Sequence, residues 1–98
     1  MKKIYQNKDH SVRVFKIEDS IILVLYATPV LIYYPVTRVI IKADIKYSSS
    51  NRKIINTFID NIIEEEIYTI VCNWDTFNSI IKSAIGREVE QGNMEMKL

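Results

Sequence analysis

Ser20-Ile21-Ile22-Leu23-Val24-Leu25-Tyr26-Ala27-Thr28-Pro29-Val30-Leu31-Ile32-Tyr33-Tyr34 is the stretch on which the fold turns. It is apolar almost throughout, so periodicity alone does not separate helix from strand. Its composition does. Ile, Val and Tyr dominate, and Thr28-Pro29 forbids an uninterrupted helix. The expectation is two strands, or one strand bent at Pro29, with a bend or bulge near Ala27 to Pro29. Being apolar on both faces, Ile21 to Leu25 belongs in the middle of a sheet, under helices or a partner subunit.

Working outward, Val12 to Ile17 is rich in β-branched and aromatic residues and follows the polar cluster Gln6 to Ser11. That predicts a strand, with Lys3 to Tyr5 as a short partner. After a turn at Tyr34-Pro35-Val36-Thr37, Arg38 to Tyr47 alternates with period two. Val39, Ile41, Ala43, Ile45 and Tyr47 share one face, expected to be buried. Arg38, Ile40, Lys42, Asp44 and Lys46 share the other, expected to be wet and mostly basic.

Ser48-Ser49-Ser50 supplies an N-cap, because a serine hydroxyl accepts a bond from an orphaned helix N–H. Behind it Ile54, Ile55, Phe58, Ile59, Ile62 and Ile63 recur at helical spacing, predicting a helix that ends near Glu64-Glu65-Glu66. Ile67 to Cys72 reads as a last strand. Asn73 caps a second helix over Trp74 to Ile85, and Gly86 reads as its C-cap. The expectation is one α+β domain over residues 1–86: a mainly antiparallel sheet of four or five strands, covered on one face by two helices. Residues 87–98 are expected to form a loosely ordered tail.

Composition limits the chemistry. The 98 residues include one Cys, one His, two Gly and two Pro. A lone Cys72 excludes an intrachain disulfide or a cysteine zinc site, and a lone His10, expected to be exposed, excludes a multi-histidine centre. Two glycines leave no phosphate-binding loop. No cofactor is implied. Gln6 to Ser11 is polar where a secretory leader needs its apolar core, and no apolar run is long enough to cross a membrane. The expected location is intracellular. Isoleucine supplies roughly one residue in five, which fits an AT-rich genome.

Charge is segregated although the net value is only +1: residues 1–53 hold 10 basic and 4 acidic groups, residues 54–98 hold 3 and 8. Arg38, Lys42 and Lys46, joined by Arg52 and Lys53 at the next helix start, are the candidate phosphate contacts of a nucleic-acid-binding surface. Tyr33, Tyr34 and Tyr47 lie close in sequence and suit base stacking. The plainer reading of the same residues is the solvated face of an outer strand, whose lysines discourage edge pairing. An alternative is a metal-dependent nuclease, with Asp19 and Asp44 as metal ligands and Lys46 supporting the attacking water. Asp44-Ile45-Lys46 is a weak signal, because Glu95-Met96-Lys97 repeats the pattern in the tail. A third reading is a homodimeric interaction module, because the central strand and both helix stripes all demand apolar cover. The residue inventory favours a non-enzymatic protein over an enzyme.

Tyr26-Ala27-Thr28-Pro29-Val30, followed by Tyr47-Ser48-Ser49-Ser50-Asn51-Arg52-Lys53-Ile54-Ile55-Asn56-Thr57-Phe58, resembles a pattern in small phage and archaeal proteins of unknown function. There a strand with Tyr-Gly-Thr-Pro precedes a helix opening Tyr-Ser-x-Thr-Thr-Ser-Arg-His-x-Asn-x-Phe. Tyr26, Thr28, Pro29, Tyr47, Ser48, Asn56 and Phe58 match. Ala27 stands for the glycine, Ser50-Asn51 for the Thr-Thr pair and Ile54 for the histidine. Length and isoleucine content are also similar to hypothetical proteins of crenarchaeal filamentous viruses. The resemblance implies a viral accessory protein acting inside an infected cell, and carries no activity with it.

Overall fold

A computed structural model describes residues 2–9, 11–62 and 66–90. The chain forms β1 (Lys2–Gln6), β2 (Val12–Ile17), β3 (Ser20–Leu25), β4 (Thr28–Tyr34), β5 (Val39–Ala43), α1 (Ser49–Ile62), β6 (Tyr68–Cys72) and α2 (Trp74–Glu90). The strands make one sheet in the order β1-β2-β3-β4-β5-β6. The first four pairings are antiparallel, and β6 runs parallel to β5. The architecture is α+β, as expected, but among the described residues the sheet has six strands rather than four or five.

The stretch Ser20 to Tyr34 forms the two middle strands, joined at Tyr26-Ala27. Leu23 pairs with Leu31 while Val24 pairs with Pro29, so Val30 is the extra residue of a bulge. Proline has no N–H to give to a ladder, and the bulge accommodates it within a central strand. Tyr26 itself adopts φ 58°, a left-handed conformation uncommon for a bulky side chain.

The helices lie on opposite faces of the sheet, not together on one. Phe15, Ile17, Ile22, Val24, Ile32 and Ala43 pack with Phe77, Ile81, Ala84 and Ile85 of α2. Val14, Leu23, Leu25, Leu31, Tyr33 and Ile40 pack with Ile55 of α1. The cause is the apolar pattern of β3, where Ile22 and Val24 point one way and Leu23 and Leu25 the other. A strand apolar on both faces is stable only with cover on both. The chain provides it by crossing one face before β6 and the other after it.

β5 is shorter than its alternation suggests and has no wet face. It ends at Ala43, and Ile40 is fully buried beneath α1. Tyr47, placed by parity with Ile41 and Ala43, instead packs on the α1 side, because the chain leaves the strand after Ala43. Both N-caps form: Asn51 N–H donates to Ser48 Oγ at 3.2 Å, and Thr76 N–H donates to Asn73 Oδ1 at 2.8 Å. Gly86 does not close α2, which continues to Glu90. His10, Ile63, Glu64, Glu65 and residues 91–98, the bulk of the expected tail, lie outside the described residues.

Candidate functional site

Two features of the surface stand out once the sheet is assembled. One is the β6 edge. Crossing from β5 through α1 leaves β6 as the last strand, and its outer side meets no other strand among the described residues. Tyr68, Ile70 and Val71 are 62%, 50% and 52% exposed. Tyr68 N–H donates to Arg38 C=O at 2.9 Å, and Cys72 C=O accepts from Asp44 N–H at 2.6 Å. Backbone groups alternate along a strand, so Tyr68, Ile70 and Cys72 face β5. Thr69 and Val71 turn their N–H and C=O outward. β6 carries neither charge nor proline, two of the devices that blunt an edge. The opposite edge has both a charge and an irregularity: β1 begins Lys2-Lys3, and its register slips between Lys3 and Tyr5.

The other feature is a groove on the α1 face, over β1, β2 and β3. Its volume is about 540 Å³, and it is lined by Tyr5, Asn7, Val12, Val14, Leu23, Lys53, Ile54, Thr57, Phe58 and Asn61. α1 crosses this face on its way from β5 to β6, and its residues Lys53, Ile54, Thr57, Phe58 and Asn61 form one side of the groove. Asn7 is held in place: its Nδ2 donates to Ser11 Oγ at 2.9 Å and its Oδ1 accepts from Val12 N–H at 2.9 Å. Ser11 in turn donates its hydroxyl and its N–H to Asp9, which holds that exposed carboxyl below the usual carboxylate range.

The five basic candidates are divided between the two ends of the sheet. Arg38 sits in the β4–β5 turn at φ 60°, with its N–H on Tyr34 C=O at 2.8 Å. Lys42, half-buried near the end of β5, Lys46 in the following connection, and exposed Arg52 and Lys53 on α1 belong to the other end. The nuclease set is divided in the same way. Asp19 lies in the β2–β3 turn, at the end of the sheet that carries Arg38, while Asp44 follows the last residue of β5 at the far end. A five-residue strand spans about 17 Å, too far for two carboxylates to share one ion. Among the described residues no three His, Cys, Asp or Glu side chains converge. Tyr33 is buried in the α1-side core, so it presents no face to a base. Tyr47 donates its hydroxyl to Ala43 C=O at 3.2 Å and Val30 C=O at 3.4 Å, and burial pushes its phenol up.

Sequence reasoning missed both surface features. Tyr68-Thr69-Ile70-Val71 has the composition of a buried strand, and only the sheet order reveals it as an edge. The groove had a visible signal: Lys53, Thr57 and Asn61 recur every fourth residue beside the apolar pair Ile54 and Phe58. No family model, curated protein or solved structure matches the chain.

Proposed function

We propose that the protein is a non-enzymatic interaction module that pairs with a second copy of itself through β6, an accessory role of the kind the viral resemblance implies. The observation that carries this reading is the exposure of Tyr68, Ile70 and Val71 on an uncharged edge strand. A two-fold axis at Ile70 sets Thr69 opposite Val71 of the other copy, so the outward N–H and C=O groups of both residues are satisfied. Ile70 then meets its own counterpart in a close, non-hydrogen-bonded pair, and Tyr68 lies against Cys72. A self-complementary edge of this kind gives a closed two-fold dimer. Sedimentation across a concentration series is expected to show a monomer–dimer equilibrium in the micromolar range, as suits a small interface. Ile70→Lys should give a monomer with unchanged circular dichroism. A wild-type chain that stays monomeric at millimolar concentration rules the reading out.

A second reading, nucleic-acid contact, draws on Lys42, Lys46, Arg52 and Lys53, which one short connection gathers at a single end of the sheet. Arg52 and Lys53 lie in the N-terminal half of α1, whose first turn contains no acid to oppose an anion. On this reading labelled DNA binds at low salt and is released steeply as salt rises, and Lys46→Glu with Arg52→Glu abolishes binding. Binding that ignores salt, or no binding at low salt, excludes it.

A further inference from the structure

The α1-side groove has the shape and polarity of a site for a single apolar chain with an anionic end. Its volume of about 540 Å³ lies within the range of small-molecule pockets, roughly 300–1,000 Å³. Val12, Val14 and Leu23 make the floor, and Ile54 and Phe58 make the helix-side wall. Lys53, Thr57 and Asn61 run along the rim at one residue per helical turn. From Lys53 to Asn61 the helix rises about 12 Å, which makes the groove long rather than round.

We propose that this groove binds a fatty carboxylate, with its carboxylate at Lys53 and its acyl chain along Val14, Leu23 and Phe58. Three observations favour that occupant. Among the described residues Lys53 is the sole charged residue of the lining, and no carboxylate pairs with it. Arg52 adjoins Lys53 in the chain, and the first turn of α1 holds no acid, so nothing in that part of the helix opposes an anion at Lys53. The floor consists of side chains from strands whose backbone groups are already paired with each other. A peptide laid there would leave its own N–H and C=O groups without partners on that side, a cost an acyl chain does not carry. The groove lies over β1, β2 and β3, at the far side of the sheet from β6, so this proposal does not rest on the dimer.

The test uses dodecanoate and dodecyltrimethylammonium below their micelle concentrations and dodecanol below its solubility limit, titrated into the full ¹⁵N-labelled chain. Dodecanoate is expected to bind saturably at one per chain, shifting the amides of Val12, Val14, Thr57 and Phe58, with dodecanol weaker and the cation weakest. Lys53→Met keeps the side chain's stem and removes its charge. It should weaken dodecanoate about tenfold, the loss of one charge-assisted contact, and leave dodecanol unchanged. Thr57→Trp, at an exposed helix position, should fill the groove and abolish binding of both while circular dichroism stays native. Equal affinity for dodecanoate and the cation overturns the proposal. So does binding that survives Thr57→Trp, or a shift map centred on α2. An absence of saturation overturns it as well.

Discussion

At the scale of single residues, two tyrosines carry testable energy. Tyr26 sits at φ 58°, yet its side chain is 67% exposed and its backbone makes the turn's contacts, N–H to Ser11 C=O and C=O from Arg13. The left-handed conformation costs an ordinary residue about 1 kcal/mol, and asparagine much less. Tyr26→Asn should therefore raise stability by up to about 1 kcal/mol in urea unfolding, and a loss would show that the ring contributes more than the strain costs. Tyr47 is held neutral. Its folded pKa stands above the ordinary value of 10.0, so its contribution is complete below pH 10 and is lost as pH climbs through the raised folded value. Tyr47→Phe should cost about 0.5–1 kcal/mol at neutral pH through the lost carbonyl contacts, and should flatten the alkaline fall in stability. An unchanged alkaline slope would place the titrating group elsewhere.

Among the elements, α2 gives the sharpest sign. A C-cap glycine occupies the left-handed region, where alanine is strained, whereas a mid-helix glycine only adds chain entropy to the unfolded state. Gly86 is followed by helix to Glu90, and a Cβ there meets nothing within 4 Å. Gly86→Ala should accordingly stabilise the protein by about 0.5–1 kcal/mol, where a capping role would give a loss. Thermal unfolding followed by circular dichroism decides between them. The same helix shows where sequence reading succeeds and fails. Its cap at Asn73 and its start at Trp74 were legible, because capping is a local property. Its far end was not, because glycine reads alike whether a helix stops at it or passes through. β2, the β3–β4 pair and the Pro29 irregularity were legible for the same local reasons. Which helix covers which face was not, since Ile40 shares the face of Arg38, Lys42 and Lys46 by alternation and reads as wet until α1 is laid across it. The basic candidates separated because β5 itself, Val39–Ala43, lies between Arg38 and Lys46. Alternation carried the reading past Ala43 and onto a face that the crossover covers.

For the molecule as a whole, the two sheet edges are unequal, and that inequality sets how far association would run. A sheet sticky at both edges propagates into an open filament, while one sticky edge closes at a pair. β6 presents Tyr68, Ile70 and Val71 with no charge, whereas β1 opens on Lys2-Lys3, with Lys3 exposed and its Nζ on Gln6 Oε1 at 2.8 Å. Pairing through β6 would thus stop at two copies, leaving the α1-side grooves at the outer ends of a twelve-stranded sheet. If the lysines are what blocks the β1 edge, Lys2→Thr with Lys3→Thr should convert the dimer into higher oligomers, seen as a steep rise in light scattering with concentration. Adding Ile70→Lys to that variant should return it to no more than a dimer, now formed through β1, because each chain would again have one sticky edge. A double-threonine variant that remains a dimer would shift the block to the register slip between Lys3 and Tyr5, which twists the edge without needing charge. Higher oligomers that survive Ile70→Lys would show that β6 is not the edge through which copies join.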